Sequence, residues 1–396
     1  MKELCPMRIH FKKSDLVEAA AVAQSVASPQ STVAILSHIL IKGEHENVAT
    51  LTATDFDTRV RVEVPAEVSA KGSVTVPART FYDLVKELPE DADIVVEANG
   101  RGVEVRCRDI RCELAAMPAD DFPLWPEMEP KISFEMPQKQ MKSVLDRVLF
   151  AIALRDPRKA LQGALFEIRK NNLTVVSTDG KILACIKNEI AVEKPPKEFS
   201  AIVPRKLLDE LDRNLNDEGT VAVALNDKQV AFRLSSIEYL SNQIEGKYPD
   251  YEVVIPKQFA RKFRIQKPPL LAAIRRAAIF TDQKQNSILF HFKGDKLELS
   301  AETYDRGKFM EELPAVQEGG EEFKIGFNYR FLLDVLKVLD AEEILLQANQ
   351  SHLPAVVQVE DRRDCLYVIM PIRLPDPVTV SATGGDAEDE EEESGK

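Results

Sequence analysis

Apolar residues recur at helical spacing in six short segments and alternate with polar residues through most of the chain between them. Three of the helical segments are SDLVEAAAVAQSV from Ser14, MKSVLDRVLFAIA from Met141 and LLAAIRRAAIF from Leu270. The other three are VPARTFYDLVKEL from Val76, VPRKLLDELDRNL from Val203 and FNYRFLLDVLKVL from Phe327. The first set starts at intervals of 127 and 129 residues and the second at 127 and 124, so both stay in step along the chain. After each helix of the first set comes an alternating strand pattern: VAILSHILIK, ALQGALFEIRK or SILFHFKG. Polar turns and further alternating runs follow, and NGRG at 99–102 reads as a hairpin turn between two of them.

The pattern therefore predicts three repeats, each with two helices on antiparallel sheets of roughly eight strands, an α+β architecture. Units of about 125 residues are too long for a solenoid, whose repeats run to about 20–50. In the second helices, Phe81, Leu84, Val85 and Leu88, and likewise Leu207, Leu208 and Leu211, form one buried stripe. Proline-rich links, MPADDFPLWPEMEP (117–130) and EGKYPDYEVVIPKQF (245–259), close the first two units. The expected division is 1–130, 131–256, 257–374 and a tail, 375–396. MPIRL stands where a third link would, with no domain downstream, so its edge is expected to be open to a partner.

Composition changes this picture little. At 44% hydrophobic and 30% charged, the 396 residues suit globular domains, and no apolar run reaches the length of a membrane span. Five cysteines at 5, 107, 112, 185 and 365, with no CxxC pair, fit a reduced cytoplasm and neither a disulfide framework nor a zinc site. Net charge is −13, but residues 375–396 hold eight acidic side chains against Lys396 alone. The body is thus only mildly acidic and can still carry a basic face.

Catalytic chemistry finds little support. The histidines at 10, 38, 45, 291 and 352 have no HxH or HExxH spacing, and Ser37-His38 falls in a strand pattern. Asp120-Asp121 sits in a link, where solvated turn carboxylates are usual, and no GxxxxGK[ST] loop is present.

TDGKILA, VPRK, EGKYPDYEVVIP, GFN followed by FLLDVL, and YVIMPIRL occur in order over residues 7–374. In them the chain resembles the bacterial sliding clamp, the beta subunit of the replicative DNA polymerase III. The resemblance implies the DNA-clamp fold, with each chain forming half of a closed ring as a head-to-tail homodimer. It implies a processivity factor that encircles duplex DNA without reading sequence, slides, and tethers the polymerase. No catalytic residue, metal or cofactor is expected, and no membrane. The basic residues expected to face DNA are Arg79, Lys86, Lys142, Arg147, Arg155, Arg158, Lys159, Arg205, Lys206, Arg275, Arg276 and Lys337.

By the same resemblance, partners (the polymerase catalytic subunit, the clamp loader and repair proteins) insert short peptides into a pocket. Its wall would comprise Leu161, Thr178, Gly180, Lys181, Leu183, Pro249, Val253, Val254, Val368, Met370, Pro371, Ile372, Arg373 and Leu374. Leu114 would meet Ile279 and Phe280 across the subunit interface. Relatives often carry an aromatic pair at Lys159-Ala160, so general charge attraction and not stacking on DNA is expected there; they often carry histidine-arginine at Lys181-Ile182 and arginine at Val253, so this pocket is expected to be more apolar and less cationic. Two other readings fit the same repeats: a clamp paralogue serving a specialised polymerase, or a repeat-built enzyme with an inter-domain site. The tail PDPVTVSATGGDAEDEEEESGK is expected to be disordered, acting as a solubilising segment or competing with DNA or partner peptides.

Overall fold

The computed structural model describes residues 6–373 except Gln30, Arg101, Lys194, Pro195, residues 283–285 and Arg363. Leu374 and the acidic tail lie outside the described residues. Six helices occur among them, two per repeat: α1 (Lys13–Val26), α2 (Ala78–Glu87), α3 (Gln138–Val148), α4 (Arg205–Asn214), α5 (Lys267–Ala277) and α6 (Tyr329–Val338). Helices α3 and α5 begin three residues before their apolar periodicity, because their first turns, Gln-Lys-Gln and Lys-Pro-Pro, carry no apolar residue at helical spacing. Both run on into single 3-10 turns, Leu149–Ala151 and Ala278–Phe280.

Each second helix buries one side completely. Phe81 and Val85 of α2, Leu207, Leu208 and Leu211 of α4, and Val335 and Leu336 of α6 are fully buried. Leu84 is half-buried at the edge of that core. The NGRG segment is a hairpin, with Asn99 paired to Gly102. No helix among the described residues is long and apolar enough to cross a membrane.

The strands form two sheets, of thirteen and twelve, and each sheet crosses a boundary between repeats. At the first junction the last strand of the second repeat, Ile237–Asn242, pairs antiparallel with Thr58–Ala70 of the first, Tyr239 opposite Val60. At the second junction Cys365–Ile369 pairs with Ile182–Glu189, Tyr367 opposite Ala184. The two tyrosines are fully buried and occupy the same position in each last strand.

One expectation is corrected here, that of an open edge at MPIRL. The last strand is itself no edge, because Ile182–Glu189 flanks it on one side and Ala355–Gln358 on the other. Nor is the segment after it open along its backbone. The Met370 N–H donates to the Lys181 carbonyl at 2.8 Å and the Ile372 N–H to the Gly326 carbonyl at 2.8 Å. Side chains, and not an unpaired strand edge, are what residues 370–373 can offer. The proline-rich links likewise pack down as straps. Phe122 is buried in the first, and Tyr248 and Tyr251 in the second.

Candidate nucleic-acid and partner interfaces

The second helix of each repeat enters from a strand ending in Pro77, Pro204 or Asn328. Its second residue is then Arg79, Lys206 or Arg330, and its ninth Lys86, Arg213 or Lys337. All six are exposed, so the fold repeats one pair of cations three times. Arg213 and Arg330 thus join Arg79, Lys86, Lys206 and Lys337 in the basic set that the sequence places on these helices, in register across the three repeats. Ion pairs hold several of these cations: Arg79 with Asp83 at 3.6 Å, Lys337 with Asp334 at 3.4 Å, Arg213 with Glu210 at 2.6 Å. The first two pairs are exposed, contribute about 0–1 kcal/mol and exchange readily for a phosphate, whereas Glu210 is buried and holds Arg213 more firmly.

The first helices differ from one another. In α1 the only basic residue is Lys13, which is 4% exposed and bound to Glu90. Helix α3 supplies Lys142, bound to Asp212 at 2.8 Å, and Arg147; helix α5 supplies the exposed Arg275 and Arg276. Arg276 is clamped on both oxygens of Glu311, which raises its pKa further. Arg205 has a structural task, donating from one nitrogen to the carbonyls of Leu149 and Ile152 at 3.0 and 2.9 Å. Arg155, Arg158 and Lys159 all lie exposed on the loop after α3, where Arg158 forks onto Asp156 at 2.9 and 3.0 Å and holds that carboxyl below its usual range.

The residues expected to form a peptide pocket gather at the second junction. Leu161, Leu183 and Val368 are almost wholly buried and make a floor with Tyr248 and Tyr251. Met370, Val253 and Val254 stand exposed around it, at 39%, 78% and 41%. Pro371 and Ile372 are half-buried, while Pro249, Lys181 and Arg373 are exposed. One side is a tight turn. The Thr178 hydroxyl donates to the Ile182 carbonyl at 2.6 Å and accepts from the Gly180 N–H, and the Asp179 carboxylate takes the N–H groups of Lys181 and Ile182. Gly180 has φ of +85°, and a β-carbon there would lie 3.1 Å from an Arg158 nitrogen, so only glycine fits without strain.

Several strands have one edge without a partner strand among the described residues, and two of them lie at the outer sides of the first and third repeats. Ile110–Leu114 pairs only with Gly102–Cys107. The first half of Gly307–Glu318 pairs only with Lys296–Thr303. Ile110 and Met310 are exposed on these edges at 38% and 55%. Beside the second edge lies the Ala278–Phe280 turn, with Ile279 at 63% exposure and Phe280 stacked on Phe309 at 5.7 Å.

Nothing in the histidines suggests catalysis. His38 is buried against the Thr75 hydroxyl at 3.1 Å, and burial lowers its pKa. His291 is enclosed by Glu298 and Glu322. The Cys185 thiol is buried and pushed up to about 12, which leaves it inert. Among the described residues no three His, Cys, Asp or Glu side chains converge as metal ligands.

Family models of the DNA polymerase III beta subunit match the chain three times: the N-terminal domain over residues 7–126, the central domain over 135–250 and the C-terminal domain over 252–373. Curated relatives include the beta sliding clamps of Pseudomonas putida, 32% identical over 373 residues, and Proteus mirabilis, 33% over 371. In each case the match covers 93% of this chain and 100% of the relative. Among solved structures, a Pseudomonas aeruginosa sliding clamp bound to griselimycin superposes with a TM-score of 0.88 at 30% identity, over 93% of this chain and all of that one. The Bacillus subtilis clamp does so with 0.89 at 25% identity, over 94% and 100%.

Proposed function

This chain belongs to the DNA polymerase III beta subunit family, the bacterial beta sliding clamps, and we propose that two copies close head to tail into a ring around duplex DNA. Its role is that of a processivity factor in DNA replication, a non-catalytic accessory to the polymerase. Cytoplasmic location follows from that role. The division into domains at 1–130, 131–256 and 257–374 accords with the two strand junctions inside the chain.

One observation carries the ring. The same antiparallel junction occurs twice within the chain, and the elements of a third are left over at its two ends. The turn 54–58 corresponds to 178–182 and to 303–307. Six residues after each turn begins, Val60 faces Tyr239 and Ala184 faces Tyr367. The same count sets Phe309 opposite Cys112 of a second chain, Lys308 opposite the partner's Glu113, and Met310 opposite the partner's Arg111. Leu114 then arrives beside the Ile279–Phe280 turn. A head-to-tail contact of this kind closes when the rotation per unit permits, and six similar domains need about 60° each.

Inside such a ring the cations repeated on α2, α4 and α6 would meet phosphates in every domain. They read no base, so the duplex is held by enclosure and stays free to slide. The apolar floor of Leu161, Leu183 and Val368, rimmed by Met370 and the two valines, suits apolar side chains of a short peptide. Polymerase, clamp loader and repair proteins are the proposed donors of that peptide. Multi-angle light scattering tests the assembly: the expected mass is about twice the 44.4 kDa of one chain, and a single-chain mass at micromolar concentration would overturn it.

A further inference from the structure

We infer that Tyr251, Glu167 and Arg169 are positioning residues for partner recognition: together they hold in place the short turn that forms one wall of the peptide pocket. The inference rests on the pocket reading given above. That wall is the 3-10 turn Tyr251–Val254, in the strap between the second and third repeats. Its four residues divide by direction. Val253 and Val254 face outward, whereas Tyr251 is 8% exposed and reaches back to the sheet.

There the Tyr251 hydroxyl donates to one oxygen of Glu167 at 2.9 Å. Glu167, on strand Gly163–Arg169, is itself 6% exposed. Its other oxygen accepts from Arg169 at 3.0 Å, and Arg169 also donates to Glu252 of the turn at 3.1 Å. Asp250 closes the turn by accepting from the Glu252 N–H at 3.2 Å. The strap is thus tied to the sheet from two successive residues, Tyr251 through the buried Glu167 carboxylate and Glu252 through Arg169.

Packing covers only one side of the strap. A groove of about 1560 Å³ runs along the strap, lined by Leu165, Ile202 and Ser200 of the sheet and by Tyr248 and Tyr251 of the strap. A turn beside open space has somewhere to go when its polar tie is cut. The Tyr251–Glu167 bond is the strongest part of that tie, since it is buried and charge-assisted. Arg169 is half exposed, so its bonds to Glu198 and Glu252 are screened by water. Cutting the tie would leave Val253 and Val254 without a fixed position, and a bound peptide would have to order them at its own expense.

The test uses the full chain and a fluorescein-labelled peptide of glutamine, leucine and phenylalanine character, read by anisotropy, with amide hydrogen exchange over residues 250–255. Tyr251→Phe and Glu167→Ala are each expected to weaken binding about tenfold, with faster exchange confined to the strap. Glu167→Gln keeps a carbonyl acceptor for the hydroxyl and is expected to bind within about threefold of the parent. Unchanged affinity in Tyr251→Phe and Glu167→Ala would overturn the inference. So would faster exchange throughout the second repeat, which is the mark of a purely structural role. Met370→Glu separates the two levels: if it leaves peptide binding intact, the pocket reading fails first and the inference with it.

Discussion

The double variant Met310→Arg, Lys308→Glu is expected to run as a single 44.4 kDa chain and to lose all retention on circular DNA. Met310 is 55% exposed on an unpaired edge, and the register of the two internal junctions seats it against a second copy. A guanidinium there meets the partner's Arg111, and like charges juxtaposed across an interface cost several kcal/mol, or roughly 10²- to 10³-fold in the dissociation constant. Lys308→Glu adds a like charge opposite the partner's Glu113, where cross-strand repulsion compounds the loss. Both side chains lie outside the buried core of their own domain, so thermal unfolding of the isolated chain should move little. Light scattering and thermal melting together check this. A variant that remains a dimer would show that the third junction is built elsewhere.

The second large effect concerns the pocket. A chain ending at Ile369 is expected to lose affinity for the clamp-motif peptide by about 100-fold or more, since it lacks Met370, Pro371 and Ile372 on one wall. The truncation keeps every residue of strand Cys365–Ile369, but it sets the new terminal carboxylate at a fully buried residue. It also removes two backbone hydrogen bonds, Met370 to Lys181 and Ile372 to Gly326. Met370→Glu, which keeps both, should show most of the same loss. Binding within about twofold of the parent in both variants would remove the pocket assignment.

What the sequence made legible follows from distance along the chain. The six helices were readable because Phe81, Val85, Leu207, Leu208 and their equivalents announce a buried stripe within a dozen residues. The threefold repeat was readable from VPAR, VPRK and FNYR, each marking a strand that turns straight into a helix. The course of Cys365–Ile369 was not. Its partner Ile182–Glu189 belongs to another repeat, and alternation of apolar residues is the same in an interior strand and at an edge. Arg205 shows a similar limit. Its charge marks it for DNA, but the two carbonyls that take its hydrogen bonds lie more than fifty residues away. Tyr251 and Glu167 are 84 residues apart, and no local pattern joins a link tyrosine to a strand carboxylate.

Enclosure of DNA is the central claim, and topology tests it more directly than affinity. The protein is loaded onto nicked circular duplex DNA by the clamp loader of its own host with ATP, then passed over a sizing column before and after the circle is cut once. The account predicts that it travels with the intact circle through salt high enough to screen phosphate contacts, and leaves as soon as the circle is linearised. Equal retention on circle and linear DNA, or loss from both at the same salt, would contradict it.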